Sequence, residues 1–203
     1  MLLELLKSVD DGTYYSLDHA TRQFDSLANL MRLGDWLGSY VAVGILLLLT
    51  LILFILQARF RAAQLTLAAS LVGVAIVEAL RAILPAQRPA VASSSVDAAE
   101  MLCSFPSGKV FMFTLVAVLL LFAAWGVLHR APARLLLTTT MVVLILWIAM
   151  SQLMLGLHFV TDVAAGLFGG LALALLAGRF LTGERNLGAV ELPDKNALPG
   201  GSG

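Results

Sequence analysis

The sequence predicts an all-α integral membrane protein, built as a bundle of about five transmembrane helices plus an N-terminal amphipathic helix. Composition is the first observation: of 203 residues, 60% are apolar and 13% are charged, and the mean hydropathy is +0.92. A soluble domain carries roughly 25% charged residues. The second observation is a series of apolar stretches, each close to the roughly 20 residues that cross the hydrocarbon core of a bilayer.

The chain divides into three parts. Residues 1–36 form an N-terminal amphipathic or interfacial segment, residues 37–181 the transmembrane bundle, and residues 182–203 a polar, flexible tail rich in Gly and Pro. In the first part, apolar residues recur at near-helical spacing among charged ones: Leu17, Phe24, Leu27, Leu30 and Met31. This pattern suits a helix that lies in the membrane interface. It suits equally well a helix packed on the bundle, and the sequence leaves both open.

The five predicted spans are residues 38–57, 64–84, 108–128, 134–155 and 160–181. Arginines in two turns and after the last span fall on one side of the membrane: Arg59, Arg61, Arg130, Arg134, Arg179 and Arg185. The excess of basic residues in cytoplasmic loops predicts that this side is cytoplasmic. The loop 85–107 and the junction 156–159 then lie on the extracytoplasmic side. On the last span, Gly166, Gly170 and Ala174 form a small-residue face suited to close helix packing.

Charge and cysteine content argue against nucleic-acid binding and against a disulfide framework. The formal net charge is zero, so bulk electrostatics gives no reason to expect binding to nucleic acid. A single cysteine, Cys103, excludes an intrachain disulfide framework. The expected partner is the lipid bilayer itself, and the oligomeric state is left open.

Two arginines bracket the exit of the second span. Arg81 and Arg88-Pro89 are separated by six residues, and an arginine presents a rigid fork of donors that matches phosphate oxygens. A carboxylate at membrane depth is costly unless it is paired. Glu78, one turn before Arg81, is therefore expected to form an ion pair with it and to orient it rather than to react.

The third span opens with Pro106-Ser107-Gly108-Lys109. Glycine lets a ligand approach the backbone, and the free N–H groups at a helix N-terminus bind anions. Ser107 adds a hydroxyl group and Lys109 a full positive charge. Alone, such a sequence is usually no more than a helix start.

The third piece is Ser151-Gln152, followed by His158 and, four positions later, by Asp162. Residues four apart share one face of a helix. A carboxylate there can fix the imidazole tautomer and raise its basicity, and an imidazole held in this way is a candidate nucleophile toward phosphorus. Since all three pieces end on one side of the membrane, the sequence indicates a phosphate-handling site at a bilayer surface.

Together these pieces resemble the type 2 phosphatidic acid phosphatase superfamily. Its pattern is Lys-x6-Arg-Pro, then Pro-Ser-Gly-His, then Ser-Arg-x5-His-x3-Asp, and the order and spacing match residues 81–162. The resemblance implies a metal-free membrane phosphatase or phosphotransferase for lipid phosphates and diphosphates, with no cofactor. It implies that His158 is the nucleophile, oriented by Asp162. The implied phosphate ligands are Arg81, Arg88, Ser107 and Gly108. Gln152, at an arginine position of the pattern, is expected to keep a donor to the phosphate, and Glu78 and Ser151 are expected to lie behind these residues.

The chain departs from the family pattern at three positions. Arg81 replaces a lysine, which keeps the charge, and Gln152 replaces an arginine, which removes one. Lys109 replaces the histidine that is expected to protonate the leaving group. An ammonium group holds its proton too firmly at neutral pH to be an efficient acid, although it can stabilise developing negative charge. We therefore expect Lys109 to contribute electrostatically and turnover to depend on the leaving group.

The expected function is removal of phosphate from a lipid phosphate or diphosphate on the extracytoplasmic face of a bacterial inner or plasma membrane. A phosphate leaving group departs without a proton more easily than an alkoxide, so a polyprenyl diphosphate such as undecaprenyl diphosphate is favoured. The sequence leaves open a phosphotransferase on the same scaffold, a lipid-phosphate binder or transporter that has lost its acid, and an active parent disabled by substitution at Lys109.

Overall fold

The fold of the chain is all helical in the computed structural model, which describes Asp10, residues 25–84 and residues 104–187, with backbone only over 182–187. Six helices follow one another along the two long ranges. They are α1 Asp25–Leu37, α2 Tyr40–Leu56, α3 Phe60–Ile83, α4 Gly108–Ala124, α5 Ala131–Met154 and α6 Val160–Leu187. The predicted phosphate ligand Arg88, Cys103 and the tail beyond residue 187 lie outside the described residues.

Among these helices, α3, α5 and the part of α6 up to Leu181 are long and apolar enough to cross a membrane. The pair α1 and α2 passes the same test when counted as one span with a 49° bend. The helices α2 and α4 occupy predicted spans but have only 17 residues each, at the lower end of the range of about 17–25 residues for a spanning helix. The prediction of an all-α membrane bundle is confirmed, with two spans shorter than expected.

Helix α4 is the centre of the bundle. It packs most extensively on α6 and also contacts α2, α3 and α5. Its side chains are apolar on every face, and most of them are buried. A helix that is hydrophobic all round is one that other helices surround, which explains why α4 forms the core rather than a lipid-facing wall.

The small-residue face of α6 is what brings α4 so close. A Cβ atom on Gly170 would lie 2.3 Å from the backbone oxygen of Phe111, and one on Gly166 would lie 2.7 Å from that of Ser107. No side chain fits at such distances, so glycine at these positions permits backbone contact. As a result, the N-terminal end of α4 lies directly beside the first turns of α6.

Helix α1 packs against α5 and is therefore part of the helix bundle. Its buried residues are Met31 and Gly34, and a Cβ atom on Gly34 would meet the side chains of Trp147 and Ser151 at about 3.0 Å. Of the two arrangements open for the N-terminal segment, residues 25–37 adopt the packed one. The earlier residues of that segment, apart from Asp10, lie outside the described part of the chain.

Candidate phosphate-binding active site

The N-terminal end of α4 forms a candidate anion-binding cradle. Ser107 is the N-cap residue and its extended backbone precedes the helix, so Pro106 lies just outside the first turn rather than within it. The Ser107 side chain is fully buried, yet its hydroxyl has no hydrogen-bond partner among the described residues. A buried hydroxyl group left unpaired costs about 1–3 kcal/mol. Together with the N–H groups of the first helical turn, which have no partner within the helix, it is a candidate donor to an anionic ligand.

Arg81 reaches this cradle from the last turn of α3. The expected ion pair with Glu78 is present, at 2.9 Å from Nη1 to Oε1. On the other side of the guanidinium, a Cβ atom on Gly108 would lie 2.7 Å from Nη2 of Arg81 and 3.0 Å from the hydroxyl oxygen of Tyr40. Nε of Arg81 is buried without a partner in the part of the chain that the structure describes. Because Gly108 has no side chain, the side chains of Arg81 and Tyr40 can lie close to the start of α4.

His158 is placed by the turn that joins α5 to α6. Helix α5 ends at Met154, and Gly156 adopts a φ of 64°, a left-handed conformation that glycine adopts readily at helix C-termini. The N–H groups of Leu157 and His158 then both donate to the backbone oxygen of Gln152, at 3.0 and 3.3 Å. This turn carries His158 back toward the start of α6 with only 4% of its surface exposed.

Asp162 faces this imidazole from the first turn of α6. Its Oδ2 atom lies 3.6 Å from Nδ1 of His158, which is an ion-pair distance but too long for a hydrogen bond. The same oxygen accepts hydrogen bonds from the Phe159 N–H at 3.1 Å and from the hydroxyl of Ser104. Ser104 Oγ in turn lies 3.4 Å from Nδ1 of His158. The serine thus bridges the histidine and the carboxylate.

The histidine and the cradle are joined through the backbone. The N–H group of Ser107 donates to the backbone oxygen of Asp162 at 3.1 Å. This bond ties the N-cap of α4 to the first turn of α6, so the nucleophile candidate and the unpaired donors share one wall of the site. The start of α6 is held further by Asp10, whose carboxylate accepts from the N–H of Thr161 at 3.1 Å and from its hydroxyl at 2.6 Å.

Lys109 and Gln152 both bond to Asp35, a residue that lies outside the three motifs. Lys109 Nζ lies 2.5 Å from Oδ1 of Asp35 on α1, and Nε2 of Gln152 lies 2.8 Å from the same oxygen. The Gln152 side chain also donates to the hydroxyl of Ser151 at 3.4 Å. The two positions that differ in charge from the family pattern therefore share one carboxylate.

The sequence matches the PAP2 superfamily over residues 62–185, which is more than half of the chain. The chain belongs to the PAP2 superfamily. A solved structure with the same fold is the first transmembrane PAP2 type phosphatidylglycerolphosphate phosphatase from Bacillus subtilis. It matches with a TM-score of 0.73 and 21% sequence identity, over 87% of this chain and 86% of the other. No curated protein matches the sequence.

Within this PAP2 fold, the predicted site residues fall into three groups. Arg81, Ser107, Gly108, His158 and Asp162 converge on the end of the bundle where α3 and α5 finish and α4 and α6 begin. Lys109 and Gln152 lie beside them but face Asp35. The Ser151 hydroxyl donates to the backbone oxygen of Ile148 at 2.7 Å, so Ser151 lies behind Gln152 rather than in the cradle. In the described part of the chain, no group of three or more His, Cys, Asp or Glu side chains is arranged to hold a metal ion.

Sequence reasoning missed Ser104, Asp35, Tyr40 and Asp10. A signal existed for Asp35, because it is a carboxylate between apolar residues just before the first predicted span and so needs a partner. Its partners could not be identified, since they lie 74 and 117 positions away along the chain. For Ser104, Tyr40 and Asp10 we find no local signal that distinguishes them from other polar residues near a helix end.

Proposed function

We propose that this PAP2 protein is a membrane lipid phosphatase that removes phosphate from a lipid phosphate or diphosphate through a phosphohistidine at His158. One observation carries the proposal. A buried imidazole with a carboxylate behind it lies beside a helix N-terminus where Ser107 Oγ and Arg81 Nε are buried without partners among the described residues. Unpaired buried donors around a nucleophile favour an anionic substrate over a neutral one.

The proposed chemistry has two steps. With Nδ1 of His158 toward Asp162, Nε2 attacks phosphorus, an N–P bond forms, and the bond from phosphorus to the leaving oxygen breaks. Asp162 and Ser104 stabilise the imidazolium that develops, as a carboxylate does for histidine in other nucleophilic sites. Arg81, Ser107 and the N–H groups of α4 stabilise the charge on the phosphoryl oxygens. Water then cleaves the N–P bond, which releases inorganic phosphate and restores the imidazole.

The proposed substrate preference follows from the leaving group. Lys109, the residue at the position of the expected acid, is ion-paired with Asp35, and a lysine is in general a poor proton donor at neutral pH. A lipid diphosphate releases a lipid monophosphate, whose second proton is lost near pH 6, so it departs without an added proton. An alkoxide does not. A polyprenyl diphosphate, which joins a diphosphate to an apolar tail, is the favoured representative.

The proposed face of the membrane is the extracytoplasmic one. The helix ends that form the site are opposite to the turns that carry Arg59, Arg61, Arg130 and Arg134. A concentration of arginine at one end of a bundle is typical of the cytoplasmic side. We therefore place the site on the other side, in a bacterial inner or plasma membrane.

Phosphate release from undecaprenyl diphosphate in detergent, followed by isolation of the labelled protein, tests the proposal. With substrate carrying a radioactive terminal phosphate, the wild-type chain should release phosphate and hold acid-labile, base-stable label, and His158→Ala should do neither. Release without any dependence on His158 would contradict the mechanism. Transfer of the label to an added acceptor lipid instead of water would indicate the phosphotransferase.

A second candidate function is a lipid-phosphate binder. The replacement of an arginine by Gln152 and the ion pair on Lys109 favour it, because both reduce the positive charge that the site offers. Saturable binding of the diphosphate with no release, and with activity gained in Lys109→His, would support a binder derived from an enzyme. The intact arrangement of His158, Asp162 and Ser104 favours the enzyme.

A further inference from the structure

The side chain of Asp35 joins three helices at the edge of the phosphate cradle. A single carboxylate oxygen accepts from Nζ of Lys109 on α4 at 2.5 Å and from Nε2 of Gln152 on α5 at 2.8 Å. Gln152 is buried, whereas the side chains of Lys109 and Asp35 are 30% and 27% exposed. The cluster therefore lies between the buried helix core and the protein surface.

The position of the carboxylate is set by tight helix packing. Gly34, the residue before Asp35, lies against Trp147 and Ser151 of α5, and a Cβ atom on Gly38 would lie 2.7 Å from the Ile148 side chain. Glycines four apart on one face let two helices approach closely. Asp35 is thus delivered by α1, which lies wholly outside the residues 62–185 that match the superfamily.

Lys109 needs such a partner for a physical reason. It is the second residue of α4, and a positive charge in the first turn of a helix is opposed by the partial positive charge of the helix N-terminus. A carboxylate within hydrogen-bond distance offsets that repulsion. An ammonium group has three N–H donors and no acceptor, so the bond to Asp35 orients Lys109 and leaves further donors for a ligand.

We propose that Asp35 is a positioning residue of the site, which holds Lys109 and Gln152 as one hydrogen-bonded unit on the leaving-group side of the cradle. This inference rests on the proposed function. In it, Lys109 stabilises the negative charge of the departing phosphate, and Asp35 fixes where that ammonium group stands. The N-terminal helix α1 is then part of the active site of this chain. Lys109 and Gln152, which both depart from the family pattern, act together with Asp35.

Steady-state kinetics on undecaprenyl diphosphate test the role. Asp35→Asn should lower kcat at least about 10-fold with a smaller change in KM, because misplacing a reacting or stabilising group by 1 Å can cost about 10²-fold. The same change made in a Lys109→Ala background should have little further effect, since the residue that Asp35 positions is already gone. Asp25→Asn removes an exposed carboxylate from the first turn of the same helix and should leave kcat unchanged.

A second measurement does not depend on activity. The lysines of the chain are Lys7, Lys109 and Lys195, so amine labelling with a water-soluble acylating reagent, read by peptide mass spectrometry, reports on Lys109 with two internal references. Asp35→Asn should raise labelling of Lys109 relative to Lys7 and Lys195, and Asp25→Asn should not. Unchanged labelling of Lys109 in Asp35→Asn would overturn the pairing and the proposal with it.

The remaining outcomes separate this proposal from the proposed function. Equal losses of kcat from Asp35→Asn with and without Lys109 would overturn the positioning role alone. A higher rate or lower KM in Asp35→Asn would also overturn it, and would show that the carboxylate competes with substrate for Lys109. A wild-type chain that releases no phosphate from either a diphosphate or a monophosphate lipid would overturn the phosphatase function, and the positioning role would fall with it.

Discussion

The two sides of the site are built differently. On the nucleophile side, His158, Asp162 and Ser104 are buried and lie next to one another, and His158 and Asp162 keep the family pattern. On the leaving-group side, Lys109, Gln152 and Asp35 come from three helices, and two of them depart from that pattern. In the proposed mechanism, this difference keeps the attack on phosphorus and changes the treatment of the leaving group.

The largest expected effect lies on the nucleophile side. His158→Ala should reduce phosphate release at least about 10³-fold, because removal of a nucleophile leaves only binding and electrostatic stabilisation. Substrate binding should persist, since the cradle at Ser107 and Gly108 is unchanged. His129, in a different turn, provides the matched control, and His129→Ala should keep full activity. A His158→Ala protein that turns over normally would contradict the assignment of the nucleophile.

Arg81→Ala should have the next largest effect. The guanidinium lies over Gly108, and its Nε is buried without a partner among the described residues, so its loss removes a charged donor from the proposed phosphate site. We expect kcat/KM to fall about 10²–10³-fold, as for removal of one donor from an oxyanion site. Arg32→Ala, which changes an arginine of α1 that bonds only to Asn29 among the described side chains, should leave kcat/KM within about 2-fold. Similar losses in both variants would argue for a general charge effect.

Ser104→Ala sharpens the comparison within the nucleophile side. The hydroxyl bridges Asp162 and His158, so its removal should lower kcat by about 10-fold, equivalent to about 1.4 kcal/mol. Ser70→Ala is a suitable control, because Ser70 is also buried but its hydroxyl bonds within its own helix to the oxygen of Thr66. If the two variants lose the same activity, Ser104 has no special role beyond folding.

The smallest effects concern the packing that holds each side in place. Gly170→Ala forces a methyl group to within 2.3 Å of the Phe111 oxygen, and overpacking typically costs about 1–3 kcal/mol. Gly38→Ala would meet the Cγ2 methyl group of Ile148, a side-chain atom rather than a backbone one, and should cost less. Gly44→Ala, with no atom within 4 Å of the added methyl group, should be neutral or stabilising. Thermal unfolding in detergent gives the order, and a reversed order would contradict the packing of α4 on α6.

Much of the nucleophile side could be predicted from the sequence because its signals are local. His158 and Asp162 are four residues apart on one helix, and Ser107 and Gly108 begin another. The Gly166 and Gly170 stripe also predicted close packing, which the contact with Phe111 confirms. The topology of the apolar spans was enough to bring these helix ends together.

The leaving-group side could not be predicted in the same way. Lys109 was expected at the phosphate, but its bond is to Asp35, whose position depends on how α1 packs against α5. That packing is set by Gly34 and Gly38 and by a bend between α1 and α2. Such a pairing joins residues far apart in sequence, and no periodicity or spacing encodes it.

We propose that the chain prefers lipid diphosphates because its leaving-group side lacks an acid. This proposal is tested most directly by the ratio of kcat/KM for undecaprenyl diphosphate to that for a phosphatidic acid, in the wild type and in Lys109→His. We expect a ratio well above one in the wild type and a fall of at least about 10-fold in Lys109→His, because an imidazole at this position can protonate the alkoxide. A wild-type preference for the monophosphate, or a ratio that Lys109→His leaves unchanged, would contradict it.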